Sequence, residues 1–217
     1  MNIYFSPHPD DAILSCGGRI LNEEEPAVVV NLFSGKYRGL TKWDKLCGFG
    51  ENPMEKRIKE DKEILSSIGV EPVYLDFYDQ AVYKDIKNKE RSEDGKAKIS
   101  RKVKKVIDER SPQKVFFPAG INHDDHQLLF KIGERVSGGV EVFFYEDLPH
   151  ALTRKNNNFE EYRFSRGVMN KKIELILKYK SQIKGFLKIS KVKSIEEFRF
   201  KMIDYHKKKK CYVERFC

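Results

Sequence analysis

Long apolar runs are missing from this chain. The longest clean one, 27–30, falls far short of the ~20 residues that a membrane-spanning helix needs. The opening Met1-Asn2-Ile3-Tyr4-Phe5 is not a basic segment followed by an apolar one of ~7–15 residues, the pattern of a secretory leader. Cysteine is sparse. Cys16, Cys47, Cys211 and Cys217 are scattered without a C-x-x-C pair, which argues against a thiolate zinc knuckle and fits reduced thiols. No transmembrane segment and a cytoplasmic location are therefore expected. Internal repeats are absent as well, and a 40% hydrophobic, 12% aromatic composition excludes a disordered or collagen-like chain.

The 217 residues suit one core with a small appendage, and the charge is unevenly divided between them. The net +9 conceals 23 Lys/Arg against 26 Asp/Glu in residues 1–150, and 19 against 7 in residues 151–217. A basic total is thus no argument for nucleic-acid binding by the first two thirds. Binding of an anionic polymer through the basic tail is kept as a minor alternative, because no nucleic-acid signature accompanies the charge.

Hydrophobic patterning alternates strands with helices. Short β-favouring runs fall at 2–6, 27–33, 73–77, 114–118 and 140–145. Helical patterns fall between them at 13–21, 53–68, 99–110 and 124–136, with loops expected at 36–52 and 84–98. That alternation predicts an α/β fold: a Rossmann-like, mostly parallel sheet covered by helices on both faces. Residues 1–150 form the expected core. Residues 151–217, with Lys-rich amphipathic helices at 167–189 and 195–206 after an Asn-rich loop at 156–158, form an expected basic helical extension packed on it.

In such sheets ligands gather at the carboxyl ends of the strands. Two polar clusters stand there: Ser6-Pro7-His8-Pro9-Asp10-Asp11 after the first strand, and Asn122-His123-Asp124-Asp125-His126 after the fourth. Either alone is an ordinary turn or helix start. Together they hold three of the five histidines. Neutral imidazoles and a carboxylate suit a divalent metal, and His8, Asp11 and His126 make a two-histidine, one-carboxylate set. Zinc in such a site lowers the pKa of a bound water to about 7. Asp10 is then the candidate base. His123, oriented by Asp125, is the candidate oxyanion stabiliser and acid. Fe(II) uses the same kind of set and is the alternative metal, although the extra Asp and His suit hydrolysis better than oxygen chemistry.

These residues resemble the PIG-L/LmbE family of zinc-dependent N-acetylglucosaminide de-N-acetylases. His8-Pro9-Asp10-Asp11 with Gly17-Gly18 resembles the family's first motif, and His123-Asp124-Asp125-His126 its second. Arg57, Glu60 and Ile68-Gly69 match an R-x-x-E helix, and Leu75-Asp76-Phe77-Tyr78-Asp79 the strand that follows it. The ordered set covers about residues 1–147. The resemblance implies a zinc hydrolase acting on an N-acetylated amino sugar in a glycoconjugate, with His8, Asp11 and His126 as ligands and Asp10 as base. Arg57 and Asp79 would be the sugar contacts. A non-catalytic, metal-containing carbohydrate-binding relative is the competing implication, and a homo-oligomer is compatible with either. Three features depart from the family: Ala12 where Glu is common, Ile121 where some relatives carry a tyrosine, and Ser34-Gly35 in place of a Thr-x-Gly-like turn. Among single residues, His150 is expected in a loop, the loop aromatics Tyr37, Trp43 and Phe49 either stack on a sugar or tether the loop, and 206–210 reads as a solvated cationic run.

Overall fold

The computed structural model describes residues 1–86, 93–153, 159–208 and 211–217. In chain order its elements are β1 (Asn2–Ser6), α1 (Asp11–Asn22), β2 (Ala27–Asn31), α2 (Lys42–Cys47), α3 (Pro53–Ser66), β3 (Glu71–Tyr74), α4 (Gln80–Ile86), α5 (Glu93–Arg110), β4 (Lys114–Pro118), α6 (Asp124–Gly133) and β5 (Glu141–Tyr145). A short 3-10 turn (His150–Thr153), β6 (Glu160–Phe164), α7 (Arg166–Ile176), α8 (Ile183–Ser190), α9 (Ile195–His206), β7 (Lys207–Lys208) and β8 (Cys211–Phe216) follow.

The strands form one sheet in the order β3-β2-β1-β4-β5-β8-β6, with β7 paired to β8. β1 to β5 are parallel, and β8 runs antiparallel to β5 and β6. Successive side chains of a strand point to opposite faces, and both faces of β1 and β4 are apolar. Tyr4 and Phe116 stack at 4.5 Å in the cluster that includes α1, α3 and α7, whereas Phe5 and Phe117 stack at 4.6 Å in the cluster beneath α5 and α6. The expected doubly covered, mostly parallel sheet is what the chain adopts. From β1 the order runs outward to β2 and β3 on one side and to β4 and β5 on the other. The crevice between the carboxyl ends of β1 and β4 is therefore the topological switch point, where open α/β sheets hold ligands.

Several boundaries differ from the sequence expectation. The 36–52 loop contains α2, closed by a capping box between Thr41 and Asp44. Much of the expected 84–98 loop is helical: α4 extends to Ile86, and α5 starts at Glu93, six residues early. High charge density hides only its first turns, 93–98; the buried face that follows, Ile99, Val103, Val106 and Ile107, belongs to the helix expected at 99–110. The rest of that expected loop, the 156–158 loop and Lys209-Lys210 lie outside the described residues.

Residues 151–217 are not helical throughout. The pattern at 167–189 divides into α7 and α8, and β6 and β8 continue the sheet beyond β5. Interleaved charges hid these strands: in Glu160–Phe164 only Phe164 is buried. The segment is fastened by ions as well as apolar contacts. Lys172, with no exposed surface, places its Nζ 2.6 Å from Glu214 Oε1 and 3.0 Å from His206 Nε2. Glu214 also accepts from the backbone N–H groups of Gly18 (2.6 Å) and Arg19 (2.8 Å) in α1. The Gly17-Gly18 pair makes room for this. A Cβ on Gly18 would lie 2.5 Å from the Phe164 ring and 2.9 Å from Glu214 Oε1. His206 is buried here and is no part of a solvated run; among the described residues of that run, Lys207 and Lys208 are exposed.

Candidate active site

After β1 the chain turns through Pro7-His8-Pro9 into α1. Ser6 Oγ donates to the His8 carbonyl (2.7 Å) and accepts from the Ala12 N–H (3.2 Å), closing the turn. Asp10, the residue before α1, has φ 149°, a conformation that costs a non-glycine residue free energy and is characteristic of functional sites. Asp11 opens the helix, where the backbone dipole favours a carboxylate. The second cluster is held likewise. His123 precedes α6 and its Nδ1 accepts from the Asp125 N–H at 3.2 Å, while His126 sits within the first turn.

The two clusters converge. Single donor atoms of His8, Asp11 and His126 all lie within 4.8 Å of one another, and all three residues are buried. Asp11 Oδ2 is the shared point, 3.0 Å from His8 Nδ1 and 3.3 Å from His126 Nε2. The opposite nitrogen of each ring meets a second buried carboxylate: His8 Nε2 lies 3.1 Å from Asp125 Oδ2, and His126 Nδ1 lies 2.6 Å from Asp147 Oδ1. Histidines that hold metals are oriented in this way, with the outer nitrogen donating to a carboxylate and the inner lone pair left for the ion. His8, His123 and Asp125 form a second group of similar compactness.

The charges also call for a cation. Asp10, Asp11, Asp125 and Asp147 are all buried around the imidazoles. Burial and the neighbouring Asp11 push Asp10 up to about 7, against the pull of Arg57, whose Nη2 is 3.5 Å from Asp10 Oδ2. Asp11, despite burial, is held well below the usual carboxylate range by His126 and His8. His126 overcomes its own burial and rises to about 10 between Asp11 and Asp147. A divalent ion held by these groups would take the place of the proton that His126 otherwise carries. The residues present fit such an ion. Burial, His8 and His126 push His123 down to about 2, so this imidazole is neutral. With Nδ1 occupied as an acceptor, its hydrogen is on Nε2.

A cavity of about 470 Å³ opens over this constellation. His8, Asp10, Asp11, His123, Asp125, His126, Arg57 and Asp79, the eight residues singled out in the sequence, all line it. Two of them have partners the sequence did not suggest. Asp125 Oδ2 is closer to His8 Nε2 (3.1 Å) than to His123 Nδ1 (3.7 Å), so its carboxylate orients His8 and its backbone holds His123. Asp79 Oδ1 accepts from the Val82 N–H at the start of α4 (2.8 Å). Of the loop aromatics, Trp43 faces the cavity, Tyr37 tethers the loop by donating to Asp44 (2.8 Å), and Phe49 is buried. Tyr145 donates to the Phe5 carbonyl and Glu146 pairs with Arg215.

Sequence reasoning missed Asp147 and the position of His150. Asp147 stands two residues past the end of β5, and its Oδ2 also accepts from the Ile121 N–H (2.8 Å). Its signal was the carboxyl end of a third strand. His150 lines the cavity with its ring centroid 5.8 Å from that of His123 and 5.5 Å from that of His126. It is drawn there by the 3-10 turn that follows Asp147, which the loop reading did not foresee.

The family described as GlcNAc-PI de-N-acetylase (PIG-L) matches residues 3–137. Among curated proteins none matches in sequence. Among solved structures the chain is similar to a deacetylase of the teicoplanin biosynthesis pathway (TM-score 0.81, 20% identity, covering 99% of this chain and 96% of that one). It is also similar to the N,N'-diacetylchitobiose deacetylase of Pyrococcus horikoshii (TM-score 0.64, 18% identity, 100% and 82%). A third similar structure is a 4-carboxy-2-hydroxymuconate hydratase of Pseudomonas putida (TM-score 0.64, 16% identity, 99% and 94%), so this fold hosts more than one chemistry.

Proposed function

The chain belongs to the PIG-L family, and on that premise we propose that it is a metal-dependent hydrolase that removes the acetyl group from an N-acetylglucosamine-type amino sugar in a glycoconjugate. One observation carries the reading: the buried convergence of His8, Asp11 and His126 beside a further carboxylate, Asp10, and a neutral imidazole, His123. His8, Asp11 and His126 would hold the ion, zinc by preference, with Fe(II) the alternative for this donor set. A divalent ion supplies a Lewis acid that polarises the amide carbonyl and makes water acidic enough to attack near neutral pH.

The chain's own groups do the rest. Asp10 takes the proton of the attacking water, and Arg57 fixes its position while offsetting its charge. His123 donates its Nε2 hydrogen to the carbonyl oxygen as negative charge develops there. Its Nδ1 is engaged by the Asp125 N–H and its basicity is low, so the proton that the departing amine needs comes back from Asp10. Arg57 and Asp79, on the cavity wall, are placed to contact the sugar. Asp125 and Asp147 hold the two ligand imidazoles in their tautomers.

The test is acetate release. Zinc-loaded protein is expected to hold a single ion per chain and to free acetate from at least one member of a panel of N-acetylglucosaminides. Full metal loading with no acetate from any N-acetyl sugar would favour the non-catalytic, sugar-binding reading.

A further inference from the structure

The segment after β3 serves two cavities. Asp79 lines the catalytic one, whereas residues 75–78 just before it line a separate cavity of about 510 Å³, with α5 supplying the other wall. The end of β2 holds that segment in place. Leu75 N–H donates to the Asn31 carbonyl (2.9 Å), Phe77 N–H to the Leu32 carbonyl (3.2 Å) and Asp76 N–H to Ser34 Oγ (3.1 Å), while Gly35 N–H donates to the Phe77 carbonyl (2.8 Å). A Cβ on Gly35 would lie 2.7 Å from the Asp76 carbonyl oxygen and 2.9 Å from the Tyr78 ring. The Ser34-Gly35 turn, which departs from the family's pattern, thus sets this close approach. Leu75 and Phe77 pack on the apolar cluster beneath α5.

The α5 wall is cationic. Lys98, Arg101, Lys102 and Lys105 all line the cavity and are exposed. Their i, i+3, i+4, i+7 spacing puts them on one face of the helix, apart from the buried stripe of Ile99, Val103, Val106 and Ile107. Lys105 has Glu109 at 3.5 Å. Lys98, Arg101 and Lys102 have no ion-pair partner among the described residues, and the one carboxylate among the described lining residues is Asp76. Composition does not account for this stripe, since residues 1–150 carry more acids than bases. The facing wall offers the half-buried carbon of Leu75, Phe77 and Tyr78.

We propose that this groove binds an acidic glycan, with its anionic groups on the α5 cations and its sugar faces on Phe77 and Tyr78, and so forms a docking site outside the catalytic cavity. The stripe from Lys98 to Lys105 is about 10 Å long, at about 1.5 Å per helical residue. Four cations over that length match a short run of charges. They are fewer than the roughly six to ten phosphate contacts by which proteins commonly hold a DNA duplex. Aromatic carbon facing a row of cations suits a ring with C–H faces and acidic substituents. The choice of a sugar rests on the reading of the neighbouring cavity as an amino-sugar site; the anion site stands on the groove itself.

The probe is a heparin-derived hexasaccharide with every amino group sulfated, which offers no acetyl group, so its binding to the intact protein needs no turnover. Four contacts on a flexible polyanion give a log–log salt slope of about −3, so its affinity is expected to fall about 50-fold between 50 and 200 mM salt. Lys98→Gln/Arg101→Gln/Lys102→Gln is expected to weaken binding at 50 mM salt by about tenfold and to flatten the slope to about −1. All three side chains are exposed, so the urea midpoint should not move. Lys188→Gln/Arg199→Gln/Lys207→Gln removes the same charge from exposed positions of the C-terminal third and is expected to leave affinity and slope unchanged. Equal binding by wild type and the α5 variant, or a loss as large in the C-terminal variant, would overturn the proposal. Tighter binding of an oligothymidylate of equal charge, lost in the α5 variant, would overturn the glycan and assign the groove to a nucleic acid. Hexasaccharide binding through α5 in a protein that frees no acetate from any N-acetyl sugar would instead refute the functional reading and leave the docking site standing.

Discussion

Glu214→Gln is the sharpest perturbation of the way the C-terminal third is joined to the core. Glu214 is 2% exposed and Lys172 has no exposure at all. The carboxylate meets the Lys172 ammonium and two consecutive backbone N–H groups of α1. An amide of the same shape removes the negative charge and turns an N–H₂ towards groups that are themselves donors. The remaining neighbour of the ammonium is His206, which burial and Lys172 itself hold neutral, so it supplies no compensating charge. Removing one partner of a buried pair costs about 3–5 kcal/mol, because the other charge stays buried. In a chain of this size that lowers Tm by roughly 6–20 °C. Lys172→Met should cost less, since Glu214 keeps both backbone donors. The double variant should recover part of the loss, with a coupling of about 1–3 kcal/mol. Urea unfolding of the four proteins measures this cycle. An E214Q midpoint equal to wild type, or strictly additive single losses, would refute the reasoning that the pair is a desolvated anchor.

Three further outcomes are expected. Asp147→Asn, which removes the carboxylate on His126 Nδ1 but keeps an acceptor for the Ile121 N–H, should weaken zinc affinity about 10–100-fold in a chelator competition; an unchanged affinity would remove Asp147 from the site. Asp61 is pushed up to about 6 by burial, against the opposing hydrogen bonds from Tyr179, Tyr74 and Asn31. The folded protein therefore holds this proton more tightly than the unfolded chain, and the Asp61 contribution is fully present at low pH and lost as pH rises through about 6. The stability of wild type relative to Asp61→Asn should fall by about 2 kcal/mol between pH 4 and 7, measured by urea unfolding; a flat difference would contradict it. Gly18→Ala, whose Cβ would meet the Phe164 ring and Glu214, should cost about 1–3 kcal/mol. A substitution without cost would show that β6 and β8 do not need the close approach to α1.

The parallel half of the sheet was legible because its signals are local. β-Branched and aromatic runs such as Ala27-Val28-Val29-Val30 are buried on both faces and carry no alternation to misread. The two polar clusters were legible because the turn after a strand is where an α/β sheet exposes its functional groups. The rest depended on distant partners. β6 reads as a charged segment until β8 supplies its hydrogen bonds, and Lys172 reads as a solvated helix residue until Glu214, 42 positions away, reaches it. Asp125 could be assigned to the site from sequence but not to His8, since that contact spans 117 residues. The seat of Trp43 on α8 was invisible for the same reason: the indole and Gly185 acquire their meaning from each other.

The central claim is that Asp10 is the base of a metal-dependent deacetylation. Asp10→Asn tests it most directly, with zinc content and acetate release measured on the same preparation. Because Asp10 lies outside the ligand set, the account predicts that the variant keeps its single ion while kcat falls about 10²–10⁴-fold. Acetate release at the wild-type rate from the zinc-loaded variant would contradict it.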